Sequence, residues 1–167
     1  MIHLAYLVAK RGDYSHFDLE RRKSIFWAIF YFSNKVKVKI RTIVIDKKYF
    51  NKKMHLNSAL AKEIGQFIQD NQKYINSFDK VVIYYDNGQE TLATILDTLF
   101  ATNPIVERRI EFDHKQKKLF QLSDMLTVID KLDYKRKNNI PFTKAEEYFF
   151  NGKDFRHIIN LLKKKRI

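Results

Sequence analysis

Three short β-patterned runs, each closing on an aspartate and each followed by a helical stripe, constrain this chain more than any other feature. The first, Val36-Lys37-Val38-Lys39-Ile40-Arg41, alternates strictly and then runs into Thr42-Ile43-Val44-Ile45-Asp46. The second, Val81-Val82-Ile83-Tyr84-Tyr85-Asp86, is continuously apolar, and the third is the shorter Arg109-Ile110-Glu111-Phe112-Asp113. Alternation marks a strand with one solvated face, and a continuous apolar run suits a strand covered on both. Around them, apolar residues recur at helical spacing over 19–33, 57–74, 91–100 and 119–132. Thr143-Lys144-Ala145-Glu146 has capping-box spacing and opens a short helix, and 154–165 reads as a last one. Strands alternating with helices imply right-handed crossovers and a mostly parallel sheet with helices on its faces. The expected fold class is therefore α/β. Three strands are few for such a sheet, so an N-terminal edge or a partner chain is expected to extend it.

Composition removes several function classes. The 167 residues include no Cys, which excludes a disulfide scaffold, thiolate metal sites and a Cys nucleophile. No apolar run is long enough to span a bilayer, and the basic residues near the start follow the apolar piece His3–Ala9 instead of preceding it, unlike a secretory signal. A cytoplasmic location is the default expectation. P-loop, dinucleotide-binding and nucleophile-elbow motifs do not occur in the sequence, and the five His residues lack zinc-site spacing.

The charge is lopsided. Lys and Arg number 32 against 19 Asp and Glu, a net +13, and the last 34 residues hold 10 basic and 3 acidic residues. Such a field attracts phosphate polymers. Lys163, Lys164, Lys165 and Arg166 are the densest basic run; a helix C-terminus also favours cations without any ligand.

Acidic side chains at several strand ends suit Mg²⁺ or Mn²⁺, which makes Asp46 and Asp86 candidates; Asp is equally a turn and cap residue. Asp124 is more unusual. It lies inside an apolar helical stripe, sharing a face with Gln121, and a buried carboxylate there needs a cationic or metallic partner unless that face is exposed. Lys115, Lys117 and Lys118 would flank a metal and meet phosphates, or form a solvated loop.

The segments Val81–Gln89 and Lys118–Asp124 together resemble the family catalogued as domain of unknown function 3800, matching a strand ending in Tyr-Tyr-Asp-Asn-Gly-Gln and a helix reading Leu-Phe-Gln-Leu-Ser-Asp. Asp18–Phe26 and Phe149–Arg156 resemble two further segments of it, so the likeness runs over about residues 8–166. The resemblance implies a three-layer ribonuclease H-like α/β fold, a mostly parallel short sheet flanked by helices, and a Mg²⁺ or Mn²⁺ nuclease site. It assigns Asp86 and Asp124 as catalytic metal ligands, Asp46 loosely as a third, and Gln121 and Gln89 in support. The family's opening Asp-Glu-Ser-Gly strand does not occur here, so the N-terminal strands are expected to be missing or reduced, with self-association or a partner chain completing the sheet edge.

The expectation is thus a ribonuclease H-like domain over 1–133 and a basic helical extension over 134–167 packed on it. Lys115, Lys117, Lys118 and Lys163–Arg166 are expected to bind nucleic acid. Two functional readings stay open: a metal-dependent nuclease or nuclease-derived nucleic-acid binder, and a non-catalytic phage or mobile-element accessory protein with a degenerate site.

Overall fold

Several of the helices begin at residues whose side chains cap them. The computed structural model describes residues 3–85, 90–101, 103–109 and 114–167, with backbone alone at 53, 108, 109 and 114–117. In order, the helices are α1 (Leu4–Ala9), α2 (Leu19–Lys35), α3 (Lys53–Asp70), α4 (Gln72–Ile75), α5 (Glu90–Phe100), α6 (His114–Lys137), α7 (Lys144–Phe149) and α8 (Gly152–Lys163). The strands are β1 (Val81–Tyr84) and β2 (Val106–Arg109). Asp18 caps α2 by accepting from Arg21 N at 2.7 Å. Thr143 and Glu146 form the reciprocal capping box that opens α7. Asn151 accepts from Lys153 N and Asp154 N at the start of α8.

The chain divides into two units: Met1–Thr42 with Asp113–Ile167, and Ile43–Phe112 between them in sequence. The first unit is a helical bundle. Its core combines Leu4, Leu7 and Val8 of α1, Phe26, Ile29 and Phe30 of α2, Leu122, Met125, Ile129 and Leu132 of α6, and Phe155, Ile158, Ile159 and Leu162 of α8. These positions follow the helical repeat, so each helix turns one stripe inward. Phe26 anchors an aromatic cluster, meeting Phe149 and Phe150 edge-on at centroid distances of 5.8 and 5.2 Å.

The second unit is a β1–α5–β2 crossover preceded by α3 and α4. β1 and β2 pair in parallel, with Val81 opposite Val106 and Tyr84 opposite Arg109. Gly65 of α3 brings that helix close to α5; a Cβ there would lie 3.5 Å from Leu99. None of the described residues of this unit is buried.

The three-layer ribonuclease H-like α/β fold is not what the chain forms. It is 66% helix and 5% strand, with a two-stranded parallel sheet. The pattern at 36–46 explains the discrepancy. Residues 36–41 alternate in exposure, with Lys37, Lys39 and Arg41 outward and Ile40 buried, yet the pairing described for them is a single parallel bridge, Ile40 to Arg166. Alternation reports a half-buried extended segment. Here Val36, Val38 and Ile40 pack on the helical core and the basic terminus runs alongside, with no ladder among the described residues. β2 begins ahead of the third run and takes in only its first residue, Arg109, while 110–113 lies outside the described residues.

Candidate nucleic-acid interface

Asp124 is where the sequence placed a costly carboxylate, and the structure gives it a partner 120 residues away. Its Oδ2 accepts a hydrogen bond from Leu4 N at 2.7 Å. Leu4 opens α1, whose preceding residue His3 supplies no side-chain cap. The first N–H groups of a helix lack internal partners, and the dipole favours an anion beside them. Asp124 is therefore a cap delivered from α6 to α1.

Arg22 does the complementary job. It is 3% exposed, and its Nη1 donates to Leu7 O at 2.9 Å and Val8 O at 3.1 Å, carbonyls near the C-terminus of α1. In the sequence Arg22 is one of three consecutive cations, Arg21 to Lys23, at the start of α2, and nothing in composition singles it out. A signal was present: Arg22 is four residues before Phe26 and seven before Ile29, on the buried face.

The other candidates fall out as follows. Asp46 caps a 3₁₀ turn at Lys47–Tyr49, accepting from Lys48 N at 3.1 Å, and its carboxylate pairs with Lys48 Nζ at 3.1 Å. That hydrogen bond raises the Lys48 pKa above 10.5. Asp86 and Gln89 lie outside the described residues, as do the side chains of Lys115 and Lys117. Gln121 and Lys118 of α6, with Ile25, Ala28, Ile29 and Phe32 of α2, line an open cavity of about 400 Å³. Asp124 and Asp46 belong to different units, each with a hydrogen-bonding duty of its own. Among the described residues no group of three or more His, Asp or Glu side chains is placed to hold a metal ion.

The basic run at 163–166 splits into two pairs. Lys163 and Lys164 are exposed. Lys165 and Arg166 are turned to internal use: Lys165 Nζ donates to Val36 O at 2.9 Å, and Arg166 Nη2 pairs with Asp130. Asp130, 6% exposed, also accepts from Thr42 Oγ1. Two backbone bonds complete the clasp, Ile40 N to Lys165 O at 2.8 Å and Ile167 N to Ile40 O at 3.1 Å.

Further ion pairs lie within the helical unit, and Lys80 pairs with Glu107 within the inserted one. Asp133 binds Arg136 and Lys137, each at 2.7 Å. Burial raises its pKa, but the hydrogen bonds from Lys137 and Arg136 outweigh that and hold it below 3.8. Glu146 meets Lys135 at 2.7 Å, and Asp154 meets Lys23 at 3.4 Å. Counted over whole units, the helical unit has 23 basic and 10 acidic residues, and the inserted unit has nine of each. The whole +13 excess thus sits on the helical unit. Among the described residues no helix is long and apolar enough to cross a membrane. In comparisons with known proteins, no family model, no curated protein and no solved structure matches the chain.

Proposed function

We propose that this protein binds nucleic acid through the phosphate backbone and acts as a non-catalytic accessory factor. The observation that carries the reading is the segregation of charge: +13 on the helical unit and zero on the inserted one. A solvating bias would spread over both units. A concentrated positive face instead favours a polyanion and releases its counterions on binding. The use of Asp124 as a helix cap supports a binding role over phosphodiester cleavage, because that carboxylate is already engaged by the N–H of Leu4.

The test is incubation of the protein with labelled RNA and DNA in Mg²⁺ or Mn²⁺, beside an Asp124→Asn variant. Binding that falls steeply with salt, with the polymer intact, is the expected result. Cleavage by the parent protein that disappears in the variant would establish a nuclease. Failure of both polymers to bind at low salt would remove the nucleic-acid reading.

A further inference from the structure

We infer that the phosphate-contacting surface is a strip built from two chain segments about 125 residues apart, and that the Asp130-centred clasp assembles it. This rests on the nucleic-acid reading above and names the site within it. Ile40 pairs with Arg166, and Lys165 reaches Val36, so residues 163–167 run alongside 36–42. The clasp therefore gathers the exposed Lys37, Lys39 and Arg41 on one side and the exposed Lys163 and Lys164 on the other.

Neither segment of the strip carries an acid of its own. Residues 21–45 contain seven cations and no acid, and residues 155–167 contain five cations and no acid. Asp130 of α6 lies at the centre of the clasp. It is buried, and it is bonded to Arg166 and Thr42. Successive outward residues of an extended segment repeat every ~6.6 Å, so Lys37, Lys39 and Arg41 form a row that can follow a phosphate chain. Lys165 and Arg166 do not contact the polymer. They hold the strip in shape, a division of labour within one basic run that composition alone does not show.

Three proteins separate the possibilities, each compared with the parent chain by fluorescence anisotropy on a labelled oligothymidylate and on a mixed-sequence duplex. The first replaces the row: Lys37→Gln, Lys39→Gln and Arg41→Gln. The second removes the same charge elsewhere on the helical unit: Lys131→Gln, Lys144→Gln and Lys153→Gln, all at exposed positions. The third is Asp130→Leu, which releases Arg166 while raising the net charge by one.

The row variant is expected to lose at least tenfold in affinity, and its salt slope to shrink by about 2–3, while the second variant changes less. Asp130→Leu is expected to weaken binding, against the sign of its charge change, with far-ultraviolet circular dichroism confirming that the helices persist. Equal losses in the first two variants would overturn the strip and leave nucleic-acid binding standing. Tighter binding by a folded Asp130→Leu protein would overturn the clasp's role. If the parent chain binds neither oligonucleotide, or binds only phosphatidylserine vesicles, the strip falls together with the reading beneath it.

Discussion

Asp124 and Arg22 grip opposite ends of the same six-residue helix. The carboxylate meets the N–H of Leu4 at the positive end of the α1 dipole, and the guanidinium meets the carbonyls of Leu7 and Val8 at the negative end. A helix this short is marginal alone. The two side chains, from α6 and α2, fix where it starts and where it ends. Leu4, Leu7 and Val8 are thereby seated in the core.

Asp124→Ala should therefore lower unfolding stability by about 1–2 kcal/mol. Asp124→Asn, which keeps an acceptor oxygen, should cost less. Urea denaturation of the two variants checks the order. Equal stability of all three proteins would show that the cap contributes nothing.

Arg22→Met should cost more, about 2–4 kcal/mol, because it leaves two carbonyls of α1 without their buried donor. Combined with Asp124→Ala, the losses should fall short of additivity, since both act through the same helix. A double-mutant cycle by denaturant melts reads the coupling.

Glu146 gives the fold a pH dependence of known sign. Burial alone would raise its pKa, yet hydrogen bonds from Lys135 and Thr143 hold it below 4.5. The folded carboxyl is thus more acidic than the unfolded one. Its contribution is complete above 4.5 and is lost as the pH falls through the folded value. Glu146→Gln should cost about 1 kcal/mol at neutral pH, and should show a shallower decline in melting temperature on acidification. Parallel declines for parent and variant would exclude this origin.

Phe26 is 1% exposed and touches Phe30, Phe149 and Phe150. Phe26→Ala should destabilise by about 3–5 kcal/mol through the cavity it leaves. Phe26→Leu should recover most of that loss. Thermal melts compare them directly.

The two units should differ in opening free energy. Backbone amides in α2, α6 and α8 pack on buried side chains, whereas the described residues of the inserted unit are all at least partly exposed. Native-state hydrogen exchange should therefore be faster in β1 and β2 than in those three helices. Equal protection in both would contradict the burial pattern.

The helices were readable because their signal is local. Leu122, Met125, Ile129 and Leu132 declare one face of α6 whatever lies opposite, and Thr143 with Glu146 declares the start of α7. The missing sheet was not readable. Val36–Ile45 carries the alternation of a strand, but a ladder depends on a neighbouring strand that the local pattern cannot supply. Asp124 shows the same boundary. Its oddness inside an apolar helix is visible in the sequence, which leaves open an exposed face or a cationic or metallic partner. That the N–H of Leu4 meets this carboxylate depends on how α1 docks against α6. Asp86 and Gln89, the other half of that expectation, lie outside the described residues.

Because Ile43–Phe112 interrupts the helical unit, its first piece is synthesised well before the second. A ribosome adding about 5–20 residues per second emits α1 and α2 several seconds ahead of α6. During that interval Leu4, Leu7, Phe26 and Phe30 have no α6 surface to cover them, and α1 has no Asp124. The nascent chain thus passes through a stage in which a greasy pair of helices, one of them still without its cap, waits outside the exit tunnel, and productive maturation depends on keeping that pair from finding another chain first.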